Sequence, residues 1–146
     1  MKRFVIDANI LVSGSVDPHG ESPPSLLYAN LAGALFEAVL SRELLEEVAD
    51  ALGKPYFVER IGEAAVADIV GGIAEAATIL EDPPPIEVSL RDPGDDYLIA
   101  LAREAGAEAI VTGDRDLLEH DGLEPPAITA RAACELLGLV EPTERP

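Results

Sequence analysis

Phe4-Val5-Ile6-Asp7-Ala8-Asn9 is the stretch on which the reading of this 146-residue chain turns. Phe4, Val5 and Ile6 form a short unbroken apolar run. That is the pattern of a strand covered on both faces, and such strands lie inside parallel sheets. The run ends in a carboxylate, Asp7, with Asn9 two residues on. In open α/β sheets, ligands bind in the crevice beyond the carboxyl ends of the strands, so Asp7 stands where chemistry is done. The structural use of the same residue is as the cap of a following helix or turn. The strand from Arg3 to Ile6 is expected to continue through Ile10, Leu11 and Val12 towards Gly14.

Outward from this strand, Ser15 to Pro24 is rich in Pro, Gly, Ser and Asp and reads as an exposed loop. Ser25 to Leu31 has helical spacing and stops at Gly33. Ala34 to Leu40 reads as a second strand. Ser41 then caps a helix whose buried stripe is Leu44, Leu45, Val48, Ala51 and Leu52, with Glu43 in the favourable first turn. A long helix is expected from about Gly62 to Leu80, broken by Pro83-Pro84-Pro85, with a short strand at Ile86 to Val88. Arg91 to Asp96 is a turn into a helix carrying Leu98, Ile99, Ala102 and Ala105, ended by Gly106. Ala109-Ile110-Val111 is another buried-strand run, followed by Thr112-Gly113-Asp114 and a turn of helix at Leu117-Leu118. Ala127-Ile128 is a small strand, and Thr129 caps a last helix through Leu137. Strands alternating with helices argue a parallel sheet with helices on both faces, the α/β class.

Composition fits this picture. Hydrophobic residues make up 48% of the chain, enough for one core in one domain over residues 1–140, with 141–146 a frayed tail. The apolar run at the start is too short for a signal peptide, and no other run approaches a membrane span. A lone cysteine, Cys134, forms no internal disulfide and fits a reducing compartment, so a soluble cytoplasmic protein without membrane contact is expected. The formal net charge is −18, from 28 acidic and 10 basic residues. That balance runs against the basic footprint of most nucleic-acid binders. It fits either acids clustered in a cleft and neutralised by divalent cations, or a generally acidic surface.

The acids repay a closer look. Asp7 and Asp114 both end strands, and in a parallel sheet those ends share one edge. On the Ser41 helix, Glu47 lies three residues after Leu44 and four before Ala51, bordering the buried stripe. Asp95 stands three, four and seven residues before Leu98, Ile99 and Ala102, and heads the inward face of its helix. Complementing the helix dipole explains Asp96 by itself and explains Asp95 equally well. Carboxylates gathered at one rim repel, and without a partner some must take up protons. Mg²⁺ or Mn²⁺ resolves the conflict, because hard cations choose oxygen ligands and Mg²⁺ keeps several waters. Such an ion can activate water against a phosphodiester. His19, His120 and Cys134 lack zinc-site spacing.

With these residues in view, four stretches resemble the PIN-domain ribonucleases: Phe4-Val5-Ile6-Asp7-Ala8-Asn9, Ser41-Arg42-Glu43-Leu44-Leu45-Glu46-Glu47-Val48, Asp92-Pro93-Gly94-Asp95-Asp96, and Val111-Thr112-Gly113-Asp114-Arg115-Asp116-Leu117-Leu118. The chain is most similar to the VapC-like toxins of toxin–antitoxin systems, in the family's order and spacing over nearly its whole length. The resemblance implies a three-layer α/β/α fold with a central parallel sheet, and metal-dependent cleavage of RNA. It further implies a homodimer and a cognate antitoxin. Matched by position, it implies catalytic roles for Asp7, Glu47, Asp95 and Asp114. Metal would be held by Asp7, Asp95 and Asp114, and more weakly by Asp116. Asn9 and Thr112 match polar residues beside the site. Arg115, Arg42 and Arg91 are the cations available to hold RNA, Arg115 foremost.

Two other readings share the same opening strand. In a haloacid-dehalogenase-type phosphohydrolase, Asp7 is the nucleophile. That chemistry wants a second Asp two residues on, and Asn9 stands there. The third reading is an acidic binding module with a catalytically vestigial site.

Overall fold

The computed structural model describes residues 1–84 and 96–142. The strand expected at Ile86 to Val88 and the turn with Arg91 and Asp95 lie outside the described residues. Strand β1 (Lys2–Ile6) opens the chain and lies in the middle of a five-stranded, all-parallel sheet. Phe4, Val5 and Ile6 are completely buried, as an unbroken apolar run requires. Helices α1 (Ala8–Ser15) and α2 (Pro23–Ala29) carry the chain to β2 (Phe36–Ser41). Helices α3 (Arg42–Leu52), α4 (Pro55–Ile61) and α5 (Glu63–Ala76) lead on to β3 (Thr78–Leu80). Helix α6 (Asp96–Ala105) precedes β4 (Ala109–Val111), helix α7 (Arg115–Leu118) precedes β5 (Ala127–Ile128), and α8 (Ala130–Leu136) is the last described element. The strand order is β3-β2-β1-β4-β5, and the architecture is the three-layer α/β/α arrangement.

Parallel pairing follows from the helical crossover between each strand and its partner. Val5 stands beside Val39 of β2, and Ile6 beside Val111 of β4. The first residues past Ile6 and Val111 therefore leave the sheet side by side. The core beneath them is contiguous, from Phe4, Phe36 and Leu40 in the sheet to Leu44, Val48 and Leu52 on α3 and Leu98, Ile99 and Leu101 on α6.

Several local expectations need correction. Strand β1 stops at Ile6, and Ile10, Leu11 and Val12 belong to helix α1. The buried residues Ala8, Leu11, Val12 and Ser15 fall at i, i+3, i+4 and i+7, a helical stripe hidden inside a continuous apolar run. Helix α2 begins two residues before Ser25, because proline is tolerated in a first turn and Ser22 caps it, its Oγ accepting from the Ser25 amide at 3.3 Å. The same proline rule hid α4, which starts at Pro55. The helix expected to reach Leu80 ends at Ala76. Thr78, Ile79 and Leu80 instead pair with Val39, Leu40 and Ser41 as an edge strand. The Ser41 helix, the Gly106 stop and the strands at Ala109 and Ala127 fall as expected. Gly106 has φ +63°, the left-handed turn that favours glycine after a helix.

Candidate active site

The sheet register brings the first site residues together. Asp7 continues the ladder, its amide donating to the Val111 carbonyl at 2.9 Å, and the Thr112 amide donates to Ile128 at 3.0 Å. Side by side past the strand ends, the Thr112 hydroxyl donates to Asp7 Oδ2 at 2.8 Å. Thr112 Oγ1 in turn accepts from the Asp114 amide at 3.0 Å. Thr112, expected beside the substrate, is fully buried and has its hydrogen committed to Asp7. It acts as a clamp between the two strand-end acids.

The two acids differ in what else they do. Asp114 is the N-cap of α7, its Oδ1 accepting from the Asp116 amide at 2.9 Å. The structural use of that residue is therefore real, and it leaves the other oxygen outside the cap. Asp7 occupies the N-cap position of α1 and makes no side-chain capping bond. Its carboxyl is pushed above the ordinary range, chiefly by burial and further by the charge of Asp114. The Thr112 hydroxyl and the amides of Ala8 and Asn9 oppose the shift without cancelling it. A group that helix capping alone had selected would be held low by hydrogen bonds.

Glu47 reaches the same edge from the other side. Strand β2 ends at Ser41, whose buried Oγ accepts from the Leu44 amide at 3.1 Å and starts α3. Asp82 adds a second cap, its Oδ1 accepting from the Glu43 amide at 2.9 Å. Glu47, less than two turns along α3, is exposed on its outer side but loses hydration on the other. Its carboxyl is raised by that burial, and by the charges of Asp7 and Glu43. The Tyr97 hydroxyl donates to Glu47 Oε2 at 2.8 Å. This Tyr97 contact was not legible from sequence. An aromatic next to an acid pair at a helix start carries no signal without knowing what faces it.

The remaining expected residues stand as follows. Asn9 is exposed in the first turn of α1, Arg115 is exposed at the start of α7, and Asp116 is half-buried beside Asp114. Asp95 lies outside the described residues, and the α6 helix begins at Asp96. Among the described residues, no group of three or more His, Cys, Asp and Glu side chains is arranged to hold a metal ion. Also among them, no Lys, Arg or His is ion-paired with Asp7, Asp114 or Glu47. The candidate donors are hard carboxylate oxygens, and those of Asp7 and Glu47 are raised towards the neutral form, chiefly by burial. That fits Mg²⁺ or Mn²⁺, which needs few protein ligands, and no softer metal.

Most cations elsewhere among the described residues are occupied. Lys2 pairs with Glu108, Arg3 with Glu37, Arg42 with Glu81 and Arg131 with Glu135. Arg60 and Arg103 donate to the carbonyls of Tyr56 and Glu124. Lys54 lies past the far end of α3 from Ser41. Arg115, beside Asp114, is an exposed guanidinium without an ion pair among the described residues.

No helix among the described residues is long and apolar enough to cross a membrane. No curated protein matches the chain. Among solved structures, the crystal structure of PAE2754 from Pyrobaculum aerophilum is similar, with a TM-score of 0.64 and 19% identity over 95% of this chain and 91% of that one. At that identity the likeness speaks for the fold. The PIN-domain model matches residues 3–116, from the start of β1 to just past Asp114, and PIN domains are typically nucleases that use divalent metals. A chain matched over that span, with its strand-end acids at one sheet edge, belongs to the PIN-domain family.

Proposed function

We propose that this protein is a Mg²⁺- or Mn²⁺-dependent endoribonuclease of the VapC-like group. It is the toxin of a toxin–antitoxin system, acting in the cytoplasm as a homodimer restrained by a cognate antitoxin. The observation that carries the nuclease reading is Asp7: a strand-end carboxylate at a helix start, without a side-chain capping hydrogen bond of its own, raised by burial and by the charge of Asp114, and itself raising Glu47. Family membership and motif order along the chain support the rest.

Asp7, Asp95 and Asp114 would hold the cation, with Asp116 contributing more weakly. When bound, the cation supplies an acidified water and offsets charge on the scissile phosphodiester. The chain does the positioning. Thr112 fixes the orientation of Asp7. Asp95 or Asp114 orients the attacking water through a carboxylate oxygen. Glu47 completes the catalytic acids, with Oε1 open to a proton while Tyr97 holds Oε2. Arg115 meets a substrate phosphate, and Asn9 offers its amide to the RNA.

The test is cleavage of a fluorophore–quencher single-stranded RNA by the full chain, with Mn²⁺ and with EDTA. Wild type cleaves only with Mn²⁺, and Asp7→Asn loses at least about a hundredfold in rate while keeping its circular dichroism. Wild-type cleavage by Asp7→Asn defeats the nuclease reading. For the toxin role, expression should arrest growth, and the product of an adjacent small reading frame should relieve it. An active ribonuclease that leaves growth untouched keeps the chemistry and loses that role.

A further inference from the structure

Glu47 and Tyr97 come from elements far apart in sequence, α3 and α6, and meet through one hydrogen bond of 2.8 Å. Glutamate on an exposed helix position has several rotamers of similar energy, most of which point its carboxylate into solvent. Nothing else described fixes Glu47: it has no ion pair, and its helix neighbours Glu43 and Asp50 repel it from either side. The carboxylate nevertheless stays close enough to Asp7 for the charge of Asp7 to disfavour its ionisation. Tyr97 explains this. It is half-buried, its two side-chain torsions are constrained, and the core residues Leu98 and Ile99 anchor the helix it stands on.

We infer that Tyr97 is a positioning residue, whose phenol holds the Glu47 carboxylate at the Asp7–Thr112–Asp114 edge and ties the start of α6 to α3 across it. The inference rests on the nuclease reading for its catalytic consequence, though not for the contact itself. The phenol gives its hydrogen to Oε2, so Oε1 is the oxygen left facing solvent and substrate. Tyr97 itself touches no reacting atom.

The experiment uses the full chain with three variants: Tyr97→Phe, Glu47→Gln and the double variant. Tyr97→Phe removes one oxygen and keeps the ring that packs. With Mn²⁺ and the fluorophore–quencher single-stranded RNA, Tyr97→Phe should lower kcat about tenfold and leave KM within about twofold, the signature of a lost orienting bond. In the Glu47→Gln background the same change should cost less than about twofold, because the group it positions is already gone. The second readout needs no activity. Side-chain three-bond couplings of isotope-labelled glutamate should show one dominant Glu47 χ1 rotamer in wild type and averaged rotamers in Tyr97→Phe. An unaveraged Glu47 in Tyr97→Phe overturns the inference, as does an equal loss of kcat in both backgrounds. A protein that cleaves no RNA but shows the rotamer change loses the nuclease reading and keeps the positioning role.

Discussion

At the scale of single residues, the electrostatic state of Asp7 decides most. Its folded-state carboxyl lies above the ordinary value of 3.8, so the folded protein holds that proton more tightly than the unfolded chain does. By linkage, ionised Asp7 disfavours folding. The penalty is absent below the ordinary value, grows as pH rises through the raised one, and is fully present at neutral pH. In EDTA, Asp7→Asn should therefore melt at about the same temperature as wild type in acid, and a few degrees higher at pH 7. The Asn oxygen can still accept from Thr112, so the clamp survives the change. Thermal melts across pH give the comparison, and a variant less stable than wild type at pH 7 contradicts it. Cation binding acts on the same charges with the opposite outcome. Mn²⁺ should raise the melting temperature of wild type at neutral pH, and the gain should fade in acid as protons compete for Asp7 and Glu47.

At the scale of elements, helix α3 is where the site is made or lost, since it carries Glu47. Its start is capped twice, by Ser41 Oγ on the Leu44 amide and by Asp82 on the Glu43 amide. Ser41→Ala removes the buried cap and leaves the distant one, and should cost about 1 kcal/mol of stability. Chemical denaturation measures it; a change under a few tenths would mean that Asp82 caps α3 alone. Ser41 was legible in sequence because caps are local chemistry. Asp82 was not, because it arrives through β3, which pairs Leu80 with Ser41 only once the sheet has formed. Helix α1 shows the converse limit: Ile10-Leu11-Val12 fits a strand or a helix equally well. What decides it is that Asp7 turns the chain out of the sheet, after which Ala8, Leu11 and Val12 can bury one helical stripe.

At the scale of the molecule, the proposed RNA cleavage raises the question of how a chain of charge −18 would hold a polyanion. Most described cations are tied up in ion pairs or on carbonyls, and Arg115 stands ready at the site edge. Few phosphates can then be neutralised. For inactive Asp7→Asn protein and a fluorescent single-stranded RNA, the logarithm of affinity should fall with the logarithm of salt at a slope of about −1 or shallower. Arg115→Ala should weaken binding and flatten the slope further. Fluorescence anisotropy across a salt series is the measurement. A slope several times steeper would place the RNA on a basic surface that these residues do not form.

Local sequence was enough for the α/β class, the buried strands at Phe4 and Ala109, the Ser41 and Thr129 caps and the strand-end acids Asp7 and Asp114. Each is written in local periodicity or in a residue's own backbone chemistry. Tertiary structure alone decided that Thr112 would clamp those two acids, that Thr78–Leu80 would be an edge strand and that Tyr97 would meet Glu47. Those contacts join residues whose neighbourhoods carry no mark of one another, and only strand register and helix packing bring them within reach.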